Sequence, residues 1–183
     1  MAIYITSDLH FGHQKEFLWK PRGFHSLEEM EKQIVLNWNG LINEDDDVYV
    51  LGDLMLNDDS HGLSLIEKLN GKLYIVIGNH DTDRRIELYR ALPNVVEISY
   101  AYRVHYKKFS FFLTHYPTLT SNYDDGETLH NKLINLCGHT HTQDRFCDFN
   151  KGLIYHCELD CQNNRPISIE QIITDIKIKC GKI

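Results

Sequence analysis

Hydrophobic and polar positions along this chain follow two periods in turn. Short runs rich in Ile, Val and Tyr at 2–6 (AIYIT), 47–54 (DVYVLGDL) and 72–81 (KLYIVIGNHD) predict strands. Such near-continuous apolar runs suit strands buried on both faces. Segments with helical apolar spacing lie between and after them, at 26–42, 61–71 and 84–92. Leu27, Met30, Ile34 and Leu41 form the stripe of the first, and Ser26 with Glu29 has the spacing of a capping box. Gly71 is a natural stop for the second helix. The second half changes character. Successive strands are predicted within 95–117, with a hairpin turn near Tyr106-Lys107-Lys108, and further strands at 133–141 and 152–159. A last helix, 168–178, opens at Ser168 after Pro166, and the polar stretch 121–131 reads as a loop. No repeat, low-complexity tract or Pro/Gly linker interrupts the pattern, so 1–183 reads as one domain. Strand–helix alternation followed by strands predicts a layered α/β fold.

The polar residues fall where such a fold binds ligands. Asp8 and His10, Asp53, Asn79 and His80, His115, and His139 with His141 all lie just after apolar runs. Open α/β sheets bind ligands outside the carboxyl ends of their strands. Turns favour Gly, Pro, Asn, Asp and Ser rather than histidine, so this distribution points beyond solvated connections. His139 and His141 share a face if extended; if they lie in a loop, Gly138 lets the backbone turn sharply before them. Asp8, His10, Asp53, Asn79, His115, His139 and His141 make seven candidate ligands, more than one tetrahedral zinc needs. They suit two ions sharing one carboxylate, a pair able to clamp a phosphoryl oxygen. Mixed nitrogen and oxygen donors fit Mn, Fe, Zn, Co or Ni.

Composition narrows the partners. The formal net charge is −7 and the isoelectric point about 5.8, a poor general surface for nucleic acid or anionic membrane. No stretch is apolar and long enough to span a bilayer. The N-terminus lacks a basic signal region, and Asp8 interrupts its apolar run. The five cysteines contain no CxxC pair, so reduced thiols and a cytoplasmic location are expected. Cys157 and Cys161 are weak zinc candidates.

Five blocks, SDLHFGH (7–13), GDL (52–54), GNHD (78–81), THYP (114–117) and GHTH (138–141), resemble the calcineurin-like metallophosphoesterases in identity and order. The tail RPISIEQI (165–172) resembles the ending of small bacterial and phage members. The resemblance implies a sandwich of two mixed β-sheets flanked by α-helices, with the active site at the C-terminal ends of the strands. It implies two divalent transition-metal ions, manganese foremost. Asp8, His10 and His141 would hold one, Asn79, His115 and His139 the other, and Asp53 would bridge them. A metal-bridging hydroxide would attack phosphorus, with His80 contacting phosphate or protonating the leaving oxygen. Asn79 would also face the substrate, and His13 and Arg84 are further candidates for phosphate contact. The plainer reading of Arg84 and Arg85 is a solvated helix face. Asp81 is a candidate to orient His80 or bind Arg84.

Departures from family patterns refine the substrate. Protein phosphatases of the superfamily carry GDxVDRG where this chain has GDLMLND, without the arginine. The length leaves no room for the extra domains of the superfamily's repair nucleases. A small phosphate ester is the expected partner, a nucleotide among the candidates, and a phosphodiester is favoured over a monoester. A homo-oligomer is left open. The alternatives are a phosphomonoesterase or nucleotidase on the same site, a non-catalytic metal-binding module, and a metal protein of non-phosphate chemistry. His25, His61, His105, His130 and His156 match no block and read as ordinary surface or partly buried positions. The aromatic run 100–112 reads as core and hairpin packing.

Overall fold

In the computed structural model, which describes residues 1–120 and 128–181, the apolar runs pair into two sheets. Strands β1 (Ile3–Thr6), β2 (Asp47–Val50), β3 (Lys72–Val76) and β4 (Val95–Ser99) are parallel. Parallel neighbours need crossovers, and helices α1 (Glu16–Trp19), α2 (Leu27–Asn39), α3 (Asp59–Ile66) and α4 (Asp83–Arg90) lie in them. The second sheet contains β5 (Tyr102–Tyr106), β6 (Phe109–Leu113), β7 (Leu133–Cys137) and β8 (Ile154–His156) in that order, antiparallel at β5–β6 and parallel beyond. Strand β9 (Ile167–Ser168) returns to pair antiparallel with β1, giving the order β4-β3-β2-β1-β9, and leads directly into α5 (Ile169–Lys179). The architecture is the expected pair of mixed sheets flanked by helices.

Alternation along the first sheet divides the core. Val48, Val50, Leu73 and Ile75 join Met30, Ile34 and Trp38 of α2 in one buried cluster. Ile5, Leu51 and Val76 join Phe111, Leu113, Ile134 and Leu136 of the second sheet and the apolar stripe of α5 in the other. The run 100–112 thus supplies core residues, Val104, Phe109 and Phe111, as expected.

Three strands end earlier than their apolar runs suggest. β2, β3 and β7 stop at Val50, Val76 and Cys137, and the Gly, Asp, Asn and His residues that follow leave the ladder. Helix α2 stops at Asn39, before the expected Ile42, because the Leu41 and Ile42 amides fold back onto the Trp38 carbonyl. Leu41, expected in the buried stripe, is consequently 38% exposed. Most of the predicted loop at 121–131 lies outside the described residues, and Leu129–Asn131 forms a single 3-10 turn.

Candidate metal centre

The chain segments leaving β1 and β2 run side by side past the sheet edge. The amides of Asp8, His10 and Phe11 donate to the carbonyls of Gly52, Asp53 and Leu54. Asp8 and Asp53 are thereby set next to each other, both essentially without solvent contact. Residues 78–81 curl against the same edge. The Gly78 and Asp53 amides both donate to Asp81 Oδ2 at 2.9 Å, and the Tyr89 hydroxyl donates to Oδ1 at 2.9 Å. Asp81 is therefore the clamp of the Asp53 turn, in place of the expected partner of His80 or Arg84. The His80 amide in turn donates to Asp53 Oδ1 at 2.9 Å. Gly78 and Gly138 owe their identity to close approach: a Cβ on Gly78 would collide with Asp53 Oδ1, and one on Gly138 with Ser7 Oγ and Asp8 Oδ2. The sharp turn expected of Gly138 is made instead by His139 and His141, at φ 75° and 49°.

Ligand atoms from the segments that follow five strands, β1, β2, β3, β6 and β7, meet here. Asp8, His10 and His141 bring donor atoms within 4.8 Å of one another, as do Asp8, Asp53 and His115. His115 Nδ1 lies 2.7 Å from the Leu51 carbonyl, an acceptor only, so Nδ1 donates and the ring's other nitrogen, Nε2, points into the site. That nitrogen faces Asn79 Oδ1 at 2.8 Å and Asp53 Oδ2 at 3.6 Å. His141 repeats the device: Nδ1 donates to Asp160 Oδ2 at 3.0 Å, and Nε2 faces His10 Nε2 at 3.1 Å and Asp8 Oδ1 at 3.7 Å. Asp8 Oδ1 is buried with no hydrogen-bond partner among the described residues. A buried carboxylate oxygen without a donor is an unfavourable arrangement that a cation relieves, and the imidazole nitrogens and the Asn79 amide oxygen grouped around it are metal-type donors. The donor set therefore fits divalent metal. His139 donates its amide to Asp8 Oδ2 at 2.9 Å, and its ring stands 5.0 Å from that of His115.

Burial dominates the electrostatics of the centre. Burial pushes Asp53 up to about 6 and His10 down to about 4. Burial works the same way on Asp8, but the neighbouring imidazoles, His10 foremost, override it and hold the carboxyl below the ordinary range.

The remaining candidates separate. His80 lies at the mouth, its side chain 40% exposed and Nε2 3.9 Å from Asp53 Oδ2. His13 is buried beside His10, ring to ring 5.6 Å. Arg84 points away: its side chain is 81% exposed and meets Asp59 at 3.6 Å, because the first turn of α4 turns it outward. Its neighbour Arg85 faces inward, donating to the His80 carbonyl at 2.7 Å and to Asp59 at 2.9 Å. Sequence reasoning missed Arg22 and Asp160. The buried Arg22 guanidinium donates to Asp160 Oδ2 at 2.7 Å and to the Asp8 carbonyl at 2.8 Å, so it backs the His141–Asp160 pair. Neither residue sits in a block, and no local spacing links positions 138 residues apart. Cys157 and Cys161 are buried and hydrogen bond to backbone carbonyls, not to each other or to a histidine ring. His156, expected at the surface or partly buried, is fully buried.

Residues 1–155 match the family model described as the calcineurin-like phosphoesterase superfamily domain. The chain belongs to this superfamily. Its members are hydrolytic metallophosphoesterases that typically bind divalent metals. An uncharacterized protein of Methanocaldococcus jannaschii is 32% identical over 188 residues, covering 99% of this chain and 93% of the relative. The gene 66 protein of Mycobacterium phage L5 is 32% identical over 43% of this chain and 39% of its own length. Among solved structures, a protein of unknown function from Aquifex aeolicus superposes with a TM-score of 0.71 at 23% identity, over 94% of this chain and 98% of the other, and so shares the fold. No helix among the described residues is long and apolar enough to cross a membrane.

Proposed function

We propose that this phosphoesterase-superfamily chain is a dinuclear-metal phosphodiesterase acting on small phosphate esters, nucleotides among them. The observation that carries the reading is the convergence of donor atoms from His10, His115 and His141 on the Asp8–Asp53 pair, with the exposed His80 beside it. Asp8, His10 and His141 would hold one divalent ion, Asn79, His115 and His139 the other, and Asp53 would serve both. Nitrogen and oxygen donors suit manganese, with Fe, Zn, Ni or Co as alternatives. When bound, the ions supply Lewis acidity toward the phosphoryl oxygens and acidify water.

The protein's own groups do the rest. His80 is fixed from both sides of its backbone, by Asp53 Oδ1 at its amide and Arg85 at its carbonyl. Its imidazole is free to contact the phosphate and to deliver a proton to the leaving oxygen. Asn79 shares the same edge. The preference for a diester follows from charge. Arg22 and Arg85 are engaged with Asp160 and Asp59 and Arg84 points outward, so none of the three is turned to a second phosphate charge, and a diester carries only one.

The test is hydrolysis of bis-p-nitrophenyl phosphate and p-nitrophenyl phosphate by metal-stripped protein, with Mn²⁺, Fe²⁺, Ni²⁺, Co²⁺ or Zn²⁺ restored in turn. Metal-dependent turnover of the diester is expected. Asp53→Asn should abolish it, and His80→Ala should lower kcat about 10²–10⁴-fold while both ions still bind. A preference for the monoester would make the chain a phosphomonoesterase. Two bound ions with neither ester turned over would move it to a binding role.

A further inference from the structure

A second set of metal-type donors lies between the segment that follows β7 and the end of β8. Cys147, Asp148 and His156 bring Sγ, a carboxylate oxygen and an imidazole nitrogen within 4.8 Å of one another. The triangle has sides of 3.1 Å from Sγ to His156 Nε2, 3.4 Å from Nε2 to Asp148 Oδ2, and 3.7 Å from Sγ to Oδ2. Zinc bonds of about 2.3 Å to sulfur and 2.0–2.2 Å to nitrogen and oxygen give a tetrahedron with edges of about 3.3–3.6 Å. An ion therefore fits above this triangle with adjustments of a few tenths of an ångström, and the exposed Cys147 leaves its fourth position open to water.

What stands behind His156 favours a metal over a simple thiol–imidazole contact. His156 Nδ1 lies 3.2 Å from Glu158 Oε1. Glu158 is fully buried, and its Oε1 also accepts from the Thr140 hydroxyl at 3.0 Å and the Thr142 amide at 3.2 Å. An acceptor so placed takes the Nδ1 hydrogen bond, and Nε2, which ligates once free of any proton, points at Cys147 and Asp148. A carboxylate behind an imidazole is the support that metal-bound histidines commonly have.

We propose that Cys147, Asp148 and His156 form a further metal site, for a thiolate-binding divalent ion such as Zn²⁺, with Glu158 as its orienting carboxylate. On binding, the Cys147 proton leaves to solvent and the sulfur ligates as thiolate. The site is distinct from the first centre, whose donors are nitrogen and oxygen only. It is tied to that centre through Thr140, which stands between His139 and His141 and bonds Glu158. The ion would thus brace the segment that carries both histidines.

Cobalt reads the two centres separately, because only a thiolate donor gives sulfur-to-cobalt charge-transfer absorption in the near ultraviolet. The full chain titrated with Co²⁺ should develop that band, and Zn²⁺ should displace it. Cys147→Ser, an exposed and conservative change, should remove the band and leave the d–d absorption of the nitrogen–oxygen centre. Glu158→Gln should weaken Zn²⁺ binding about tenfold or more. In parallel, Zn²⁺ should slow alkylation of Cys147 by iodoacetamide, followed by mass spectrometry of the peptide. No charge-transfer band in the unaltered chain, or a band that survives in Cys147→Ser, would overturn the assignment. So would alkylation indifferent to Zn²⁺, which would leave a hydrogen-bonded thiol–imidazole pair. None of these readouts depends on phosphoesterase activity.

Discussion

Asp8, His10, Asp53, His139 and His141 all adopt positive φ, between 49° and 75°. This left-handed region is unfavourable for residues with a Cβ, least so for Asp, Asn and His, and each instance costs on the order of 1–3 kcal/mol. The chain spends that energy on aim. A left-handed residue just past a strand folds the backbone back, so that residues i and i+2 point at one place without continuing the strand. The motifs SDLH, GDL and GHTH revealed which residues gather here, but a shared strand face was the wrong geometry for His139 and His141. Close packing beside them is equally tight. Gly138→Ala places a methyl against Ser7 and Asp8, and overpacking of this kind costs about 1–3 kcal/mol. We expect a lower thermal midpoint and weaker metal binding by calorimetry; a variant unchanged in both would mean that the backbone here yields easily.

Elements were legible where they were long and capped. Ser26 accepts from the Glu29 amide at the start of α2, and Ser168 from Gln171 at the start of α5, as the sequence spacing predicted for α2. The Glu29 carboxylate, however, accepts from His25 rather than from Ser26, so the box is one residue off. Helix α1 and strand β9 escaped notice because four and two residues carry too little periodicity to register. A carboxylate joins the starts of β1 and β2 in the first sheet. Asp46, just before β2, accepts from the Ala2 amide at 2.6 Å and from the Asn43 amide at 3.0 Å. The Ala2 bond, then that of Asn43, hold its pKa below the ordinary value. The sign follows: a carboxyl depressed in the folded state stabilises fully above the unfolded pKa of about 4, and that contribution fades as pH falls through the folded value. Asp46→Ala should lower the melting temperature at neutral pH, with the difference from the unaltered chain shrinking in acid. A gap that stays constant down to strongly acidic pH would assign the effect to packing.

For the whole molecule, the consequence of the centre is linkage between metal and stability. Free ions at about 100 times Kd add about 2.7 kcal/mol to the folded state, a rise of about 5–10 °C for a chain of this size. Calorimetric melts with Mn²⁺ or Zn²⁺ should show it, EDTA should reverse it, and Asp53→Asn should lose most of it without melting lower than the metal-free parent, since an amide oxygen still receives the His80 amide. Equal melts with and without metal would exclude a preformed site. Local order in the chain was enough to name the strands, the longer helices, the superfamily and the gathering residues, because periodicity and motif spacing are short-range properties. The supporting groups came only from folding. Arg22 meets Asp160 across 138 positions, Arg85 rather than Arg84 turns inward, and His156 sinks beside Cys147 and Glu158. These choices depend on which face of an element the packed sheets cover, and no pattern confined to neighbouring residues encodes that.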